Sequence, residues 1–475
     1  MKLSSRRQFL KAAGAGAVLS ALPGRHTVSS RQIPDPKDKP NFVFILTDDQ
    51  RFDALRCAGN PHIYTPNLDS LAARGVRFDR GYVTLSICSP SRAACLTGRY
   101  GGANGVTRVG NHVRLNDGEK TFAHYFQEAG YRTGFVGKWH LGNTPEECGF
   151  DFHTYFISNG KYYDRSVIEM GGEAVAEGFI EDYNADQSSG FIERARAAGE
   201  PFVLFHCTQI PHMNNEFDWN VRPETLSRYD LSQMPVPVTW EGDLTGKPPY
   251  LKNARNRLQA LQYGYDSKEN IQRHLQRYYA AVTEMDASLG KLLKTLDQLG
   301  LRDQTYIFFY GDNGWLMGEH RFTSKVLPYE PSIRVPMIVS GPGLRPTEDR
   351  HLVLNIDFAP TMLDLAGLPI PESMQGSSLT PLLNQQSNIP WRTSFLYEAP
   401  ESNLGSWPLY AVCTDYWKYI QTYDINDPTQ LAFEELYDIQ KDPHEIQNRI
   451  HDPRYAEILN MLKTEMERLR KNPGA

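Results

Sequence analysis

Two short stretches of this sequence, Thr47-Asp48-Asp49-Gln50 and Gly311-Asp312-Asn313-Gly314, bring together three carboxylates and an amide oxygen. Oxygen donors of that kind suit a hard divalent cation, calcium in first place with magnesium the alternative; zinc would call for histidine or thiolate. Cationic side chains recur near these stretches in the order of the chain: Lys138 and His140 in GKWHLG, His212 after Ile210-Pro211, and Lys325 in HRFTSKVLPYEP. An anion could be held there by metal and ammonium groups together. Lys138 and His140 stand two apart, so an extended segment would point both side chains the same way. The stretch at 88–100, CSPSRAACLTGRY, is of another kind. Cys88 heads a Pro-Ser-Arg run that then reads as a helix, whereas a cysteine that only fills a core needs no proline and arginine at fixed offsets. Taken singly, Asp-Asp can cap a helix and Gly-Asp-Asn-Gly can make a turn. Their conjunction points to a site.

Such residues need a scaffold that brings distant parts of the chain to one place. From position 41 short apolar runs alternate with helix-like segments, the pattern of an α/β domain with a largely parallel sheet. NFVFIL (41–46), RTGFV (132–136), PFVLFHC (201–207), QTYIFFY (304–310) and RVPMIV (334–339) read as buried strands. Their continuous hydrophobicity is what a strand covered on both faces requires. Three of them run directly into the polar stretches at 47–50, 208–212 and 311–314, and ligands of open α/β sheets bind beyond the carboxyl ends of strands. TPNLDSLAARG predicts a helix with Thr65 as N-cap, Pro66 at the first helical position and Gly75 as the stop. Residues 275–299 predict a core-facing helix from the spacing of Leu275, Val282, Met285, Leu289, Leu292 and Leu296. Beyond about Pro390 come short aromatic-rich strands and a last helix over 455–470, which predict a smaller α+β subdomain.

The chain of 475 residues carries a formal net charge of -6 and a pI near 6.1. That gives no basic footprint for nucleic acid or an anionic membrane. Six cysteines lack CxxC or zinc-finger spacing, so they predict neither a disulfide framework nor a structural zinc site. Arg6-Arg7, followed by Phe9-Leu10-Lys11 and a mild apolar run to Leu22, looks like a twin-arginine export signal. The run is too short to span a bilayer. The expectation is a signal and linker over 1–32, a mature chain starting between Leu22 and Pro40, carriage by the twin-arginine machinery, and a periplasmic or secreted protein with no stable membrane span.

CSPSRAACLTGR resembles the signature of type I, formylglycine-dependent sulfatases of the alkaline-phosphatase-like superfamily. TDDQ, GYRTGFVGKWHLG, the Pro-His at 211–212, GDNG, Lys325, IDFAPTMLDLAGLPIP and LYDIQKDPHE resemble further blocks of that family, in its order, across about 41–448. The resemblance implies an alkaline-phosphatase-like catalytic domain over 38–389 and a C-terminal subdomain over 390–475. It implies that a maturation enzyme, reading Pro90 and Arg92, oxidises Cys88 to formylglycine. A thiolate attacking a sulfate ester would give a stable adduct, whereas a hydrated aldehyde has one hydroxyl to attack and another to expel.

Carried over by motif position, Asp48, Asp49, Asp312 and Asn313 bind calcium together with an oxygen of residue 88, and Arg92 holds the diol. Lys138 and Lys325 contact sulfate oxygens, His212 protonates the leaving alcohol, and His140 is the base that strips the second hydroxyl. The helix opening at Cys88 adds N–H groups that favour an anion. Cys95, on the same helix, reads as core. The implied activity is hydrolysis of sulfate esters, on a sulfated glycan since exported bacterial relatives commonly act on such material. The aromatic-rich insert at 219–265, with Trp240 and Tyr250, could wall a saccharide site or pack on the domain. Two other readings stand beside it: a phosphodiesterase or phosphonate monoester hydrolase on the same scaffold, and a non-catalytic glycan-binding relative. The second would be expected to have lost Cys88, Arg92, Asp312 or His212, and all four are present.

Overall fold

The computed structural model describes residues 39–474; the twin-arginine stretch lies outside the described residues. Strand β1 (Asn41–Asp48) is buried along its whole length. Its side chains alternate between two cores, with Phe42, Phe44 and Leu46 in one and Val43 and Ile45 in the other. Each such side chain stabilises the fold by roughly 1.5–3 kcal/mol, which explains why a continuous apolar run is needed here.

The other strands of the large sheet are β2 (Gly75–Tyr82), β3 (Arg132–Lys138), β4 (Phe152–Phe156), β5 (Tyr163–Glu169), β6 (Gly172–Phe179), β7 (Phe202–Pro211) and β8 (Thr305–Gly311). A small pair, β9 (Leu316–Met317) and β10 (Thr323–Ser324), stands apart from it. β11 (Arg334–Ser340), β12 (Thr347–Asp349) and β13 (Val353–Leu354) complete the large sheet. Its order is β12-β2-β11-β8-β1-β7-β3-β4-β5-β6, with β13 also on β2. The central strands β8, β1, β7, β3 and β4 are mutually parallel.

The sheet is largely parallel, as expected, and antiparallel pairings occur at its flanks. β11, read from RVPMIV, runs antiparallel to both β8 and β2. The β5–β6 hairpin is antiparallel too. Gly75 is not a helix stop: α1 (Pro66–Ala72) ends earlier, and Gly75 opens β2, where a Cβ would lie 2.1 Å from the Val339 carbonyl oxygen. Thr65 and Pro66 do stand at the N-cap and first turn of α1.

Helices cover both faces. On one lie α2 (Cys88–Thr97) and α6 (Phe358–Leu365), where Phe358 packs against Phe44 with ring centroids 4.8 Å apart. On the other lie α3 (Ile180–Ala198) and α5 (Lys268–Gln298). Helix α4 (Arg255–Gln262) lies between β7 and α5 in sequence. Helix α5 starts about two turns before the predicted 275, because its first residues pack only Ile271 inward.

After the large sheet come β14 (Ser394–Ala399), β15 (Leu409–Thr414), β16 (Trp417–Tyr423) and β17 (Leu431–Asp438), a four-stranded antiparallel sheet in sequence order. It is backed by α7 (Ala456–Lys471), which buries Leu462, Met466 and Leu469. Phe395, Tyr397 and Leu462 belong to the same apolar core as Phe44, so the two sheets share one interior.

Candidate active site

The ends of β1, β7 and β8 lie side by side: Thr47 pairs with Gly311, and Asp48 with Pro211. That register places three of the polar stretches in one spot. The Asp312 N–H donates to the Thr47 carbonyl oxygen at 2.8 Å, and the Asp49 N–H donates to Asp312 Oδ1 at 3.1 Å. The Asn313 side-chain amide donates to Asp49 Oδ1 at 2.6 Å. Cys88 is the first residue of α2, and Pro90 sits in the first turn, where its missing N–H costs the helix nothing. All ten residues of α2 are buried. Cys95 is among them, as core, and Arg92 lies one turn below Cys88.

The Cys88 thiol is surrounded by charge. Its Sγ is 3.5 Å from Asp48 Oδ1, 3.5 Å from Lys138 Nζ and 3.0 Å from Lys325 Nζ. Lys138 donates to Asp48 and Lys325 to Asp49. Arg92 donates to Asp312 Oδ2 through Nε at 3.1 Å and Nη2 at 2.8 Å, and to the Lys138 carbonyl oxygen at 2.7 Å. Burial alone would raise every carboxylate. At Asp48 the charges of Lys138, Arg92 and Lys325 outweigh burial and hold the group well below the ordinary carboxylate range. At Asp49 and Asp312 burial wins, and both are pushed up to about 6. Burial pushes the Cys88 thiol up to about 12, so the unmodified side chain is a thiol and a poor nucleophile at neutral pH.

Both histidines are present, but not by the expected geometry. His140 has φ 63, so the segment is not extended there as expected, yet its side chain still reaches the site, lining the cavity above Cys88. Gly137, at φ +105, precedes the pair; a Cβ there would lie 1.8 Å from the Cys207 carbonyl oxygen. His140 is pushed down to about 2 by burial and by the Lys138 and Arg92 charges. His212 is pushed down to about 3, chiefly by burial. Its Nδ1 lies 2.7 Å from the Met213 carbonyl oxygen, and its Nε2 is 3.5 Å from Asp49 Oδ2. The Met213 contact assigns the Nδ1 proton, so Nε2 is the atom free for chemistry. Asp49, His140, Ser324 and Val326 all carry positive φ. Strained backbone of this kind costs about 1–3 kcal/mol per residue and needs surrounding support. Around Lys325 that support comes from Asn256, which donates to the Thr323 and Lys325 carbonyls, and from Tyr397 of β14, which donates to the Val326 carbonyl at 2.6 Å.

Above the thiol lies a cavity of about 170 Å³ lined by Cys88, His140, His212 and Lys325. Its walls include Phe217, Arg255, Gln259, Tyr263 and Trp315. The insert at 219–265 thus does wall the site, through α4 and the residue that follows it. Trp240 and Tyr250 do not take part: Trp240 packs on the core, and Tyr250 stacks on Trp407 at 4.6 Å. Trp219 is buried against Tyr278. Arg255, Gln259 and Tyr263 escaped the sequence reading, although their spacing of four residues marks one helix face.

A sequence model of the sulfatase family matches residues 40–368. The chain belongs to the sulfatase family. As a sulfatase it is a sulfuric ester hydrolase, and a second match, to the N-sulphoglucosamine sulphohydrolase C-terminal family, covers residues 318–472. It is 30% identical to an N-acetylglucosamine-6-O-sulfatase of Bacteroides thetaiotaomicron, over 91% of this chain and 87% of that one. It is 29% identical to an arylsulfatase of Clostridium perfringens, over 90% and 93% of the two chains. A structure solved with its substrate D-glucosamine-2-N,6-O-disulfate superposes with a TM-score of 0.81 at 28% identity, covering 92% of this chain and 99% of the other.

The donor set of this sulfatase fits a divalent cation. Ligand atoms of Asp48, Asp49 and Cys88 all lie within 4.8 Å of one another. Asp49 Oδ2 is buried with no hydrogen-bond partner, an unmet acceptor of the kind a cation satisfies. No helix among the described residues is long and apolar enough to cross a membrane.

Proposed function

We propose that this sulfatase removes sulfate from a sulfated saccharide, using a formylglycine formed from Cys88 and a calcium ion held by Asp48, Asp49, Asp312 and Asn313. The observation that carries this reading is the position of Cys88 at the N-terminus of a buried helix, between two lysine ammonium groups, on the floor of a small cavity. The similarity to an N-acetylglucosamine-6-O-sulfatase and to a structure holding a sulfated glucosamine supports the saccharide. When bound, the cation supplies Lewis-acid polarisation of sulfate oxygens, and the aldehyde hydrate at position 88 supplies the nucleophilic hydroxyl.

The chain's own residues do the rest. Lys138 and Lys325 approach position 88 and can hold two sulfate oxygens, stabilising charge that develops as the ester bond breaks. Arg92 locks Asp312 and the backbone at Lys138 in place through its fork of donors. His212, with its Nδ1 proton held by the Met213 carbonyl, acts as the acid in its imidazolium form: Nε2 first takes up a proton, as the anionic substrate favours, then gives it to the departing alkoxide and returns to the neutral ring. His140 is neutral at working pH and its buried Nδ1 has no partner; as the base it would take a proton with bound sulfate offsetting the Lys138 and Arg92 charges that otherwise oppose it. Export through the twin-arginine machinery, and contact with a formylglycine-forming maturation enzyme, belong to this same reading and rest on the Arg6-Arg7 and CSPSR motifs.

Rates on 4-nitrophenyl sulfate, bis(4-nitrophenyl) phosphate and an aryl phosphonate monoester test it. The sulfate should be the fastest substrate. A faster phosphonate or diester would move the activity to that of a phosphonate monoester hydrolase, such as the Silicibacter pomeroyi protein that shares this fold with a TM-score of 0.73.

A further inference from the structure

The walls of the active-site cavity carry charge of only one sign. Among the described residues that line it there is no aspartate or glutamate, whereas Arg255 joins Lys325 there. Arg255 is exposed and makes no ion pair or side-chain hydrogen bond among the described residues. The contrast with a larger surface depression of about 780 Å³ is direct. Each of its four arginines has a carboxylate partner: Arg51 with Glu319 at 2.7 Å, Arg80 with Asp415, Arg334 with Asp79 at 3.2 Å and Arg350 with Glu348 at 3.4 Å. Arg255, at the mouth of an anion-processing cavity, has no such carboxylate among the described residues to neutralise it.

Beside it the chain provides a second donor. Gln259, one turn along α4 and buried, donates from Nε2 to the Tyr263 hydroxyl at 2.8 Å. That hydroxyl oxygen is thereby occupied as an acceptor, and its own proton is left to be given elsewhere. Burial pushes Tyr263 up to about 12, so the proton stays on the phenol at working pH. Gln259 Oε1 is buried without a donor partner, so α4 presents unspent hydrogen-bonding capacity along with the cation.

We infer that Arg255, with the Tyr263 hydroxyl, forms a second anion-binding position in the cavity, taking a carboxylate or a further sulfate on the sugar whose sulfate ester is cleaved. The inference rests on the saccharide sulfatase reading above. A cavity of about 170 Å³ is small beside ordinary ligand pockets of about 300–1,000 Å³. A group on its wall therefore faces the reacting sugar or the one joined to it. Guanidinium pairs with planar or tetrahedral oxyanions through paired donors, which a lysine cannot reproduce.

The test is competition. Inhibition constants against 4-nitrophenyl sulfate hydrolysis are measured for N-acetylglucosamine 6-sulfate, D-glucosamine-2-N,6-O-disulfate and a 2-O-sulfated uronic acid, on wild type, Arg255→Gln and Arg255→Lys. The inference predicts that Arg255→Gln weakens at least one of the two dianionic sugars by about tenfold or more. The singly charged sugar should stay within about twofold, and Arg255→Lys should recover part of the loss. Which dianion suffers decides between a second sulfate and a carboxylate. An equal change for all three sugars, or none, overturns the inference. Wild type that leaves the aryl sulfate uncleaved, with Cys88 shown to be matured, overturns the sulfatase chemistry instead.

Discussion

Two buried clusters of lysines and carboxylates lie in this molecule, and they differ in what is left over. At the active site Asp48, Asp49 and Asp312 face Lys138, Lys325 and Arg92, yet Asp49 Oδ2 and His140 Nδ1 have no partner. In the other, Lys418 of β16 donates to Glu330 at 2.9 Å and Glu445 at 2.5 Å. Lys247 donates to the Tyr437 hydroxyl and the Glu445 carbonyl oxygen, each at 2.8 Å, and Tyr329 and Tyr437 both donate to Glu435. None of these charged groups is left unsatisfied. This second network ties the C-terminal sheet, the insert and the segment before β11 together and is complete within the chain. A buried charged cluster is common to structural and catalytic places; unmet atoms beside an enclosed cavity separate the two.

Breaking each cluster at its lysine should give opposite outcomes. Lys325→Ala removes a preorganised cation from the reacting group and should lower kcat by about 10²–10³-fold, measured with an aryl sulfate on protein shown to be folded by circular dichroism. Lys418→Met removes the ammonium that Glu330 and Glu445 share, leaving Glu330 only Arg334 at 3.9 Å, and should cost about 3–5 kcal/mol of stability in urea unfolding. The folded fraction should keep its kcat. A Lys418→Met enzyme that is stable but inactive, or a Lys325→Ala enzyme that is active but unstable, would erase the distinction.

His206 calibrates what burial alone does, because it sits in neither cluster. It is on β7, hydrogen-bonded to Ser188 at 2.8 Å, and burial pushes it down to about 4 from an ordinary 6.5. Above pH 6.5 the group is neutral in both states and has no effect. As pH falls from 6.5 toward 4 the unfolded chain gains a proton that the folded one refuses, so stability drops, by about 3 kcal/mol at pH 4. Unfolding midpoints at pH 7 and pH 4.5 should therefore differ less in His206→Asn than in wild type. An unchanged pH dependence would show that His206 accepts a proton in the folded state.

The active-site cluster was far more legible in the sequence than its surroundings. β1, β3, β7 and β8 announce themselves as continuous apolar runs because each is covered on both faces, and the polar residues that follow them must then fall at one edge of the sheet. Strand direction is not written in composition, so RVPMIV read only as a buried strand, with nothing to say that it runs antiparallel to its neighbours. β2 carries Arg77, Asp79 and Arg80 among its apolar residues, and the β5–β6 hairpin is largely exposed, so neither gave a buried-strand pattern. The positive φ at His140 was also invisible, since a histidine seldom adopts it and only the packed site enforces it. The cavity wall was missed for a simpler reason. Arg255 and Gln259 sit on a polar helix that reads as solvated surface until the fold turns one face of it inward.

The central claim is that residue 88 acts as something other than a thiol. Mass spectrometry of tryptic peptide 81–92, from protein made beside a working formylglycine maturation enzyme, tests it most directly. The account predicts a peptide in which the CH₂–SH of Cys88 is replaced by an aldehyde or its hydrate. An intact thiol, in a preparation where a control sulfatase has been converted, would contradict it.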